Sequence, residues 1–373
     1  MLIKANKGEW GEPYVAIRVL GDGKLYIADS EGNKNLSEWM DVIELIRHEM
    51  TDRIVSYTYN KDKFVSIYVN GEFIKTISAL EFLSKADTLA NEIRNGKGSS
   101  FNLSDEMTKF FESICIEHIK AKSIDKSDIF LTISDPRASV VRKHVGFSIK
   151  SEFGHNPTLF NTAKSSAVVY EVLGMNESLM NQINAMVDMK GHSAVSERSD
   201  ALIKSGCKLK FVGFPFAKKA NCVAFQENLD LINPRLAEVV ERMLWNHFFE
   251  HETCVDLEKV MQRIIKENPC NLSRPEEKYP YMLKSFLYAA YCGMTASTLW
   301  DGNSQVNGGF IKVKRDGEVL AHYALESDAF KSYLYKNCYL EFPSTDEGHG
   351  FYAKVYKEGD KYYYRLNFQI RYR

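Results

Sequence analysis

Residues 128–153 read DIFLTISDPRASVVRKHVGFSIKSEF and hold two apolar runs, 128–134 and 145–153, separated by a segment with Pro136, Arg137, Arg142 and Lys143. The runs read as consecutive strands of one sheet. Successive side chains of a strand point to opposite faces, so Ser148, Lys150 and Glu152 share one face and Phe147, Ile149 and Phe153 the other. Asp128 opens the first strand. If the two strands pair, its carboxylate comes near the Lys150 ammonium at the sheet edge, with Asp135 in the turn as a rival. A carboxylate that holds hydrated Mg2+ beside a lysine that orients or deprotonates water suits phosphodiester hydrolysis. A solvated strand face carrying an ion pair meets the same short pattern, so the pattern alone does not decide between the two.

Upstream, GEWGEPYVAIRV (8–19) has the spacing of a helix with Trp10, Tyr14, Val15 and Ile17 inward and Glu9 and Glu12 near its start, where the macrodipole favours acids. KFVSIYV and EFIKTIS flank Asn70-Gly71, the pair that supplies positive φ in a type I′ hairpin turn. A helix over 79–95 ends at Gly96, and Ser104 caps another that runs to about Lys122. Downstream, helices are expected near 162–172, 176–189 and 196–205, a strand over 208–216, and helices over 234–250, 255–267 and 280–293. A second hairpin, GGFIKVKR with EVLAHYAL, turns at Asp316-Gly317, and the C-terminus is strand-rich.

The 373 residues carry 48 Lys and Arg against 49 Asp and Glu, a net charge of −1, which does not announce a nucleic-acid partner. That total conceals a polarity: residues 1–200 hold 24 basic and 28 acidic side chains, residues 201–373 hold 24 and 21. Lys204, Lys208, Lys210, Lys218 and Lys219 fall within 201–226, a stretch with no acid, and make phosphate contacts a reading beside that of plain solvated surface. Seven cysteines without a C-x-x-C pair argue for a reducing cytoplasm. No run approaches a membrane span, and no apolar segment opens the chain. His247, His251 and Cys254 would share a face only on a continuous helix, where they could ligate zinc. Phosphate-loop, dinucleotide, zinc-protease and hydrolase-elbow fingerprints are all missing.

Several separated blocks resemble one family, the HpaII-type type II restriction endonucleases of the PD-(D/E)xK nuclease superfamily. They are KGEWGEPYVAIRVLGDGKLYIAD (7–29), GFSIKSEFGHNPTLFNTAKS (146–165), NPCNLSRPEEKYPYMLKSFLYAAYCGMTASTLWDG (268–302), GGFIKVKRDGEVL (308–320) and RLNFQIRYR (365–373). They occur in the family's order and span nearly the whole chain. The resemblance implies Mg2+-dependent double-strand cleavage of DNA at a short palindrome, CCGG for the founding member, leaving 5′-phosphates. It assigns Asp128 as the metal-binding acid and Lys150 as the catalytic lysine. Ser148 stands in the second acid position, which leaves that carboxylate open. Glu12 on the opening helix is the first candidate to replace it, with Glu9, Asp135, Glu152 and Glu171 as others. TLFNTA (158–163) departs from the more usual TLLNAS, and Asn161, Gln305, Asn307 and Arg315 are candidates for reading base edges.

The sequence is therefore read as an α/β restriction-endonuclease-like core, a central mixed sheet flanked by helices with N-terminal and C-terminal elaborations. Residues 1–122 form a helix and hairpin region, 123–232 the nuclease core, and 233–373 a helical and strand-rich region assisting DNA binding. The expected partners are double-stranded DNA, a second copy of the chain on a palindromic site, and a cognate cytosine methyltransferase as a genetic partner; no membrane is involved. A sequence-specific DNA-binding protein without cleavage is the rival function, since Ser148 is not an acid.

Overall fold

The computed structural model describes residues 4–29, 31–50, 52–119, 127–187, 193–303, 307–323, 327–342 and 353–373. In chain order its elements are α1 (Gly11–Asp22), β1 (Lys24–Ala28), β2 (Lys34–Met50), β3 (Arg53–Tyr59), β4 (Phe64–Val69), β5 (Glu72–Ser78), α2 (Ala79–Asn95), α3 (Asp105–Ser113), β6 (Ile129–Asp135) and β7 (Val140–Ser151). Then come β8 (Thr158–Phe160), β9 (Val168–Leu173), α4 (Glu177–Asn184), α5 (Ala194–Lys204), β10 (Lys208–Gly213), α6 (Ala224–Ile232), α7 (Leu236–Phe249), α8 (Leu257–Glu267) and α9 (Pro275–Tyr291). The chain ends with β11 (Gly309–Val313), β12 (Val319–Tyr323), α10 (Ser327–Asn337), β13 (Cys338–Glu341), β14 (Val355–Glu358), β15 (Lys361–Leu366) and β16 (Gln369–Tyr372). The fold is mixed α/β, in two compact units: residues 1–157 with 304–333, and residues 158–303 with 334–373.

The first unit is built on a nine-stranded mixed sheet in the order β1-β12-β11-β7-β6-β2-β3-β4-β5. β1 also pairs with β2, so six of the strands close into a ring, a barrel-like closure that no local sequence signal announced. β6 and β7 are antiparallel neighbours, as their two apolar runs suggest, and β11 lies parallel to β7. The Asn70-Gly71 turn has φ of 50° and 85°, the left-handed pair that joins β4 to β5. α2 spans the expected residues, capped by Ser78, whose hydroxyl accepts the Glu81 N–H. α1 starts three residues later than its apolar spacing suggests and is closed by Gly23 at φ 63°, whose N–H bonds to the Val19 carbonyl. Trp10, Val15, Ile17 and Leu20 have no exposed surface and join Phe147, Ile149, Ile311 and Val313 in one core.

The second unit holds a four-stranded antiparallel sheet, β10-β9-β15-β14, and a three-stranded one, β13-β16-β8. Tyr170 of β9 packs on Trp245 and Phe249 of α7, with ring centroids 5.9 and 5.8 Å apart. Phe160 of β8 packs on Phe286 and Phe368.

Three sequence expectations need correction. Residues 162–172 are not a helix but a short turn (Lys164–Ser166) followed by β9. Val168, Val169, Tyr170 and Val172 are all buried, and such a continuous apolar run does not distinguish helix from strand by period; its β-branched residues favour the strand. The helix capped by Ser104 stops at Ser113 instead of reaching 122, because Cys115 adopts φ 62°, which a right-handed helix cannot continue through; residues 120–122 lie outside the described ones. α7 ends at Phe249 and His251 has φ 56°, so His247, His251 and Cys254 do not share a helix face. Among the described residues no group of three His, Cys, Asp or Glu side chains is arranged to hold a metal ion, so the zinc reading is dropped. No described helix is long and apolar enough to cross a membrane.

Candidate active site

β6 begins one residue after Asp128, and there its ladder with β7 stops, which leaves the next N–H of β7 in need of an acceptor. Asp128 supplies it: its own N–H bonds to the Phe147 carbonyl at 2.8 Å, and its Oδ2 accepts the Ile149 N–H at 2.6 Å. A charged acceptor on a backbone donor is a strong bond, so the carboxylate is fixed at the point where the two strands part, one residue from Lys150. Burial holds the Lys150 ammonium below the ordinary lysine range, while the charges of Asp128 and Glu12 pull the other way. The lysine is half-buried, with these two carboxylates in electrostatic reach.

Glu12 reaches this place through its neighbour. Gly11 abuts β7 so closely that an added Cβ would lie 2.4 Å from the Ser151 Cβ and 2.6 Å from its Oγ. Only a residue without a side chain permits that approach. It brings the first turn of α1, with Glu12, onto the strand that carries Lys150. The Glu12 Oε2 is itself buried.

The other carboxylates named from the sequence are engaged elsewhere. Asp135 binds Arg137 through Nε at 3.0 Å and Nη2 at 2.9 Å, bonds that hold its carboxyl below the usual range. It closes the opposite end of β6, about 23 Å from Asp128 at roughly 3.3 Å per residue. Glu9 exchanges hydrogen bonds with Asn6 before α1. Glu152 pairs with Lys312 at 2.7 Å, and Glu171 of the second unit with Lys361 at 2.9 Å. Ser148 is buried, 7% exposed, beside Phe310 of β11.

Of the residues considered for DNA contact, Lys208 and Lys210 are exposed on β10, Lys218 and Lys219 are exposed in the loop beyond it, and Asn161 is exposed after β8. Lys204 is exposed and meets Asp200 at 3.5 Å. Asn307 has a structural task, its Oδ1 accepting the Gly146 N–H at 2.7 Å, and Arg315 donates to Asn156. Gln305 lies outside the described residues. Lys312, which the sequence did not single out, stands beside Lys150 in the parallel ladder of β7 and β11. Its donation to the Tyr333 hydroxyl at 3.3 Å and its pair with Glu152 leave it nearly buried. Only knowledge of a pairing across about 160 residues of chain could have placed it there.

The sequence profile of the HpaII restriction endonuclease family matches residues 6–372. The type II restriction enzyme HpaII of Haemophilus parainfluenzae is 30% identical over 369 residues, which cover 98% of each chain. No solved structure gives a significant match. The extent of both sequence matches, end to end across the elements that carry Asp128, Lys150 and Glu12, places the chain in the HpaII restriction endonuclease family, the type II site-specific deoxyribonucleases.

Proposed function

We propose that the chain cleaves both strands of DNA at CCGG, depends on Mg2+ and leaves 5′-phosphate and 3′-hydroxyl ends, using a PD-(D/E)xK core centred on β6 and β7. The observation that carries this reading is the Asp128 carboxylate fixed one residue from a half-buried Lys150, with Glu12 brought onto the same strand by Gly11 and in electrostatic reach. Two carboxylates suit Mg2+, which keeps several waters and takes few protein ligands. The buried Glu12 oxygen and the fixed Asp128 carboxylate fit such an ion. Asp128 and Glu12 would hold it, with Glu12 replacing the acid that Ser148 lacks. When bound, the cation supplies charge neutralisation at the phosphate and a more acidic water.

The protein's own groups do the rest. Lys150, held below its ordinary range, takes up or shares the proton of the attacking water and donates to a nonbridging oxygen of the phosphate. The water oxygen bonds to phosphorus as the bond to O3′ breaks; the departing O3′ takes a proton from solvent to become the 3′-hydroxyl, and the 5′ end keeps the phosphate. Ser148 adds a neutral hydroxyl on the same strand. Lys204, Lys208, Lys210, Lys218, Lys219 and Asn161 contact the DNA outside the reacting phosphate. A palindromic target is met by two copies related by a two-fold axis, and a cytosine methyltransferase protects the host's own sites.

The test is to incubate the protein with unmethylated phage DNA and Mg2+ and to map the fragment ends. Discrete fragments ending at CCGG, lost with Lys150→Ala, are expected. Retarded DNA without cleavage under any divalent metal would refute the mechanism.

A further inference from the structure

The four-stranded sheet of the second unit has one face covered and one partly exposed, with Lys208, Lys210 and Lys361 exposed on it and Tyr356, Tyr363 and Arg365 half-buried. Tyr170 and Tyr364 point inward, with Tyr364 sharing a hydrogen bond with Ser199 of α5. They face each other across the β9–β15 ladder, and by alternation the neighbours of each along its own strand point outward. In the register of the sheet, Lys210 stands opposite Glu171, and Glu171 opposite Tyr363; Tyr363 in turn faces Tyr356. One row over, Lys208 stands opposite Leu173, and Lys361 opposite Glu358. Arg365 follows on β15.

Charge on this face is unbalanced. Among the described residues of this face, Lys208, Lys210, Lys361 and Arg365 stand with two acids, Glu171 and Glu358, and Glu171 is already bound by Lys361. Arg365 is prepared for a ligand. Its Nε donates to the Tyr356 hydroxyl at 2.8 Å and its guanidinium lies over the Tyr356 ring at 4.1 Å, which fixes the planar fork before anything binds. Tyr356 and Tyr363 stack on each other with centroids 5.6 Å apart, so their rings are occupied and their edges carry hydroxyl groups. Cations, a preset guanidinium and phenolic hydroxyls on one sheet face are the donor set that phosphate oxygens take. Lys210 and Tyr363 are two strands apart, roughly 9.6 Å at the usual strand spacing, so the contacts are spread along the ligand and not gathered at one point.

We propose that this outward face is a docking surface for the sugar-phosphate backbone of double-stranded DNA, with Lys361, Arg365 and Tyr363 extending the contact made by Lys208 and Lys210. The inference rests on the nuclease reading and adds to it residues on β15 that neither the sequence nor the family match assigns. Glu171, in this view, acts as a brake: it gives up Lys361 to the phosphates when DNA docks and stays on the face as an opposing negative charge.

The test uses the non-cleaving Lys150→Ala chain as parent and measures its affinity for a cognate duplex from 50 to 250 mM KCl. Each phosphate contact contributes about 0.9 to the slope of log K against log salt. Lys210→Gln, Lys361→Gln and Arg365→Gln together should flatten the slope by about 2.7, and Lys210→Arg, Lys361→Arg and Arg365→Lys should restore most of it. Glu171→Gln should steepen the slope by about 0.9 and tighten binding at low salt. The restoring variants and the gain with Glu171→Gln separate a lost contact from a lost fold. A parent that binds with a slope untouched by the triple variant overturns this inference alone. A parent that fails to bind at any salt overturns it together with the nuclease reading.

Discussion

Gly11→Ala tests the contact by which the opening helix delivers Glu12. The new methyl group would stand 2.4 Å from the Ser151 Cβ, an atom fixed to the strand and not the far end of a flexible chain, so α1 or β7 must move. Overpacking of this kind costs about 1–3 kcal/mol, and the fixed neighbour argues for the upper end. Alanine returns up to about 1 kcal/mol in helix propensity, which leaves a net loss of about 2 kcal/mol. Chemical denaturation would read that loss as a shift in midpoint at constant slope. The helix would retreat from β7 by about 1 Å, and Glu12 with it, and a misplacement of that size lowers the rate about 100-fold. Single-turnover cleavage with excess enzyme isolates the effect from product release. Ser151→Gly removes the obstructing atoms, so the double variant should recover both stability and rate. A Gly11→Ala chain as stable as the parent and within twofold of its rate would refute the argument that this approach places Glu12.

Three further outcomes are expected. Glu49→Ala leaves the fully buried Arg47 without its 2.9 Å partner and two backbone N–H groups, of Glu117 and His118, without an acceptor, and should cost about 3–5 kcal/mol in urea unfolding. His322, 4% exposed, has its pKa pushed down to about 3 by burial and then by Lys312 and Lys314. The unfolded chain therefore binds the extra proton between about pH 6.5 and 3, and stability due to this group is present above pH 6.5 and lost as pH falls; His322→Phe should flatten that acid slope by up to about 1.4 kcal/mol per pH unit. Gly71→Ala, at φ 85° with open space around it, should cost about 1–2 kcal/mol from backbone strain alone and leave the cleavage rate unchanged, as thermal melts and end-point digests would show.

Where a local signal was complete, the sequence revealed its element. Ser78 and Gly96 bound α2, Asn70-Gly71 and Asp316-Gly317 turn their hairpins, and alternation in 145–153 put Phe147 and Ile149 in the core with Lys150 opposite. The misses have physical causes. Val168, Val169, Tyr170 and Val172 form a buried run that carries no usable period, and nothing near Cys115 foretells a left-handed cysteine. The ring closed by β1 with β2 and the parallel partners of β7 and β1 depend on pairing between distant segments, which composition and spacing do not encode. For the proposed site, the nearness of Asp128 and Lys150 was legible because one stands just before β6 and the other on β7, its neighbour. That α1 lies on β7, bringing Glu12 near the strand of Lys150, was not legible, and Lys312 stayed hidden because its neighbour is far along the chain.

The late arrival of β11 sets a clock on the enzyme. Lys150 is synthesised about 160 residues before the strand that must lie against β7, and translation at about 5–20 residues per second takes roughly 10–30 s to cover that length. Through that interval Asp128 and Lys150 exist on a sheet edge with no partner beyond it, and β12 has yet to join β1. On the proposed assignment of Asp128 and Lys150, a growing chain passes through this stage unarmed, and its capacity to cut appears only after β11 has been made.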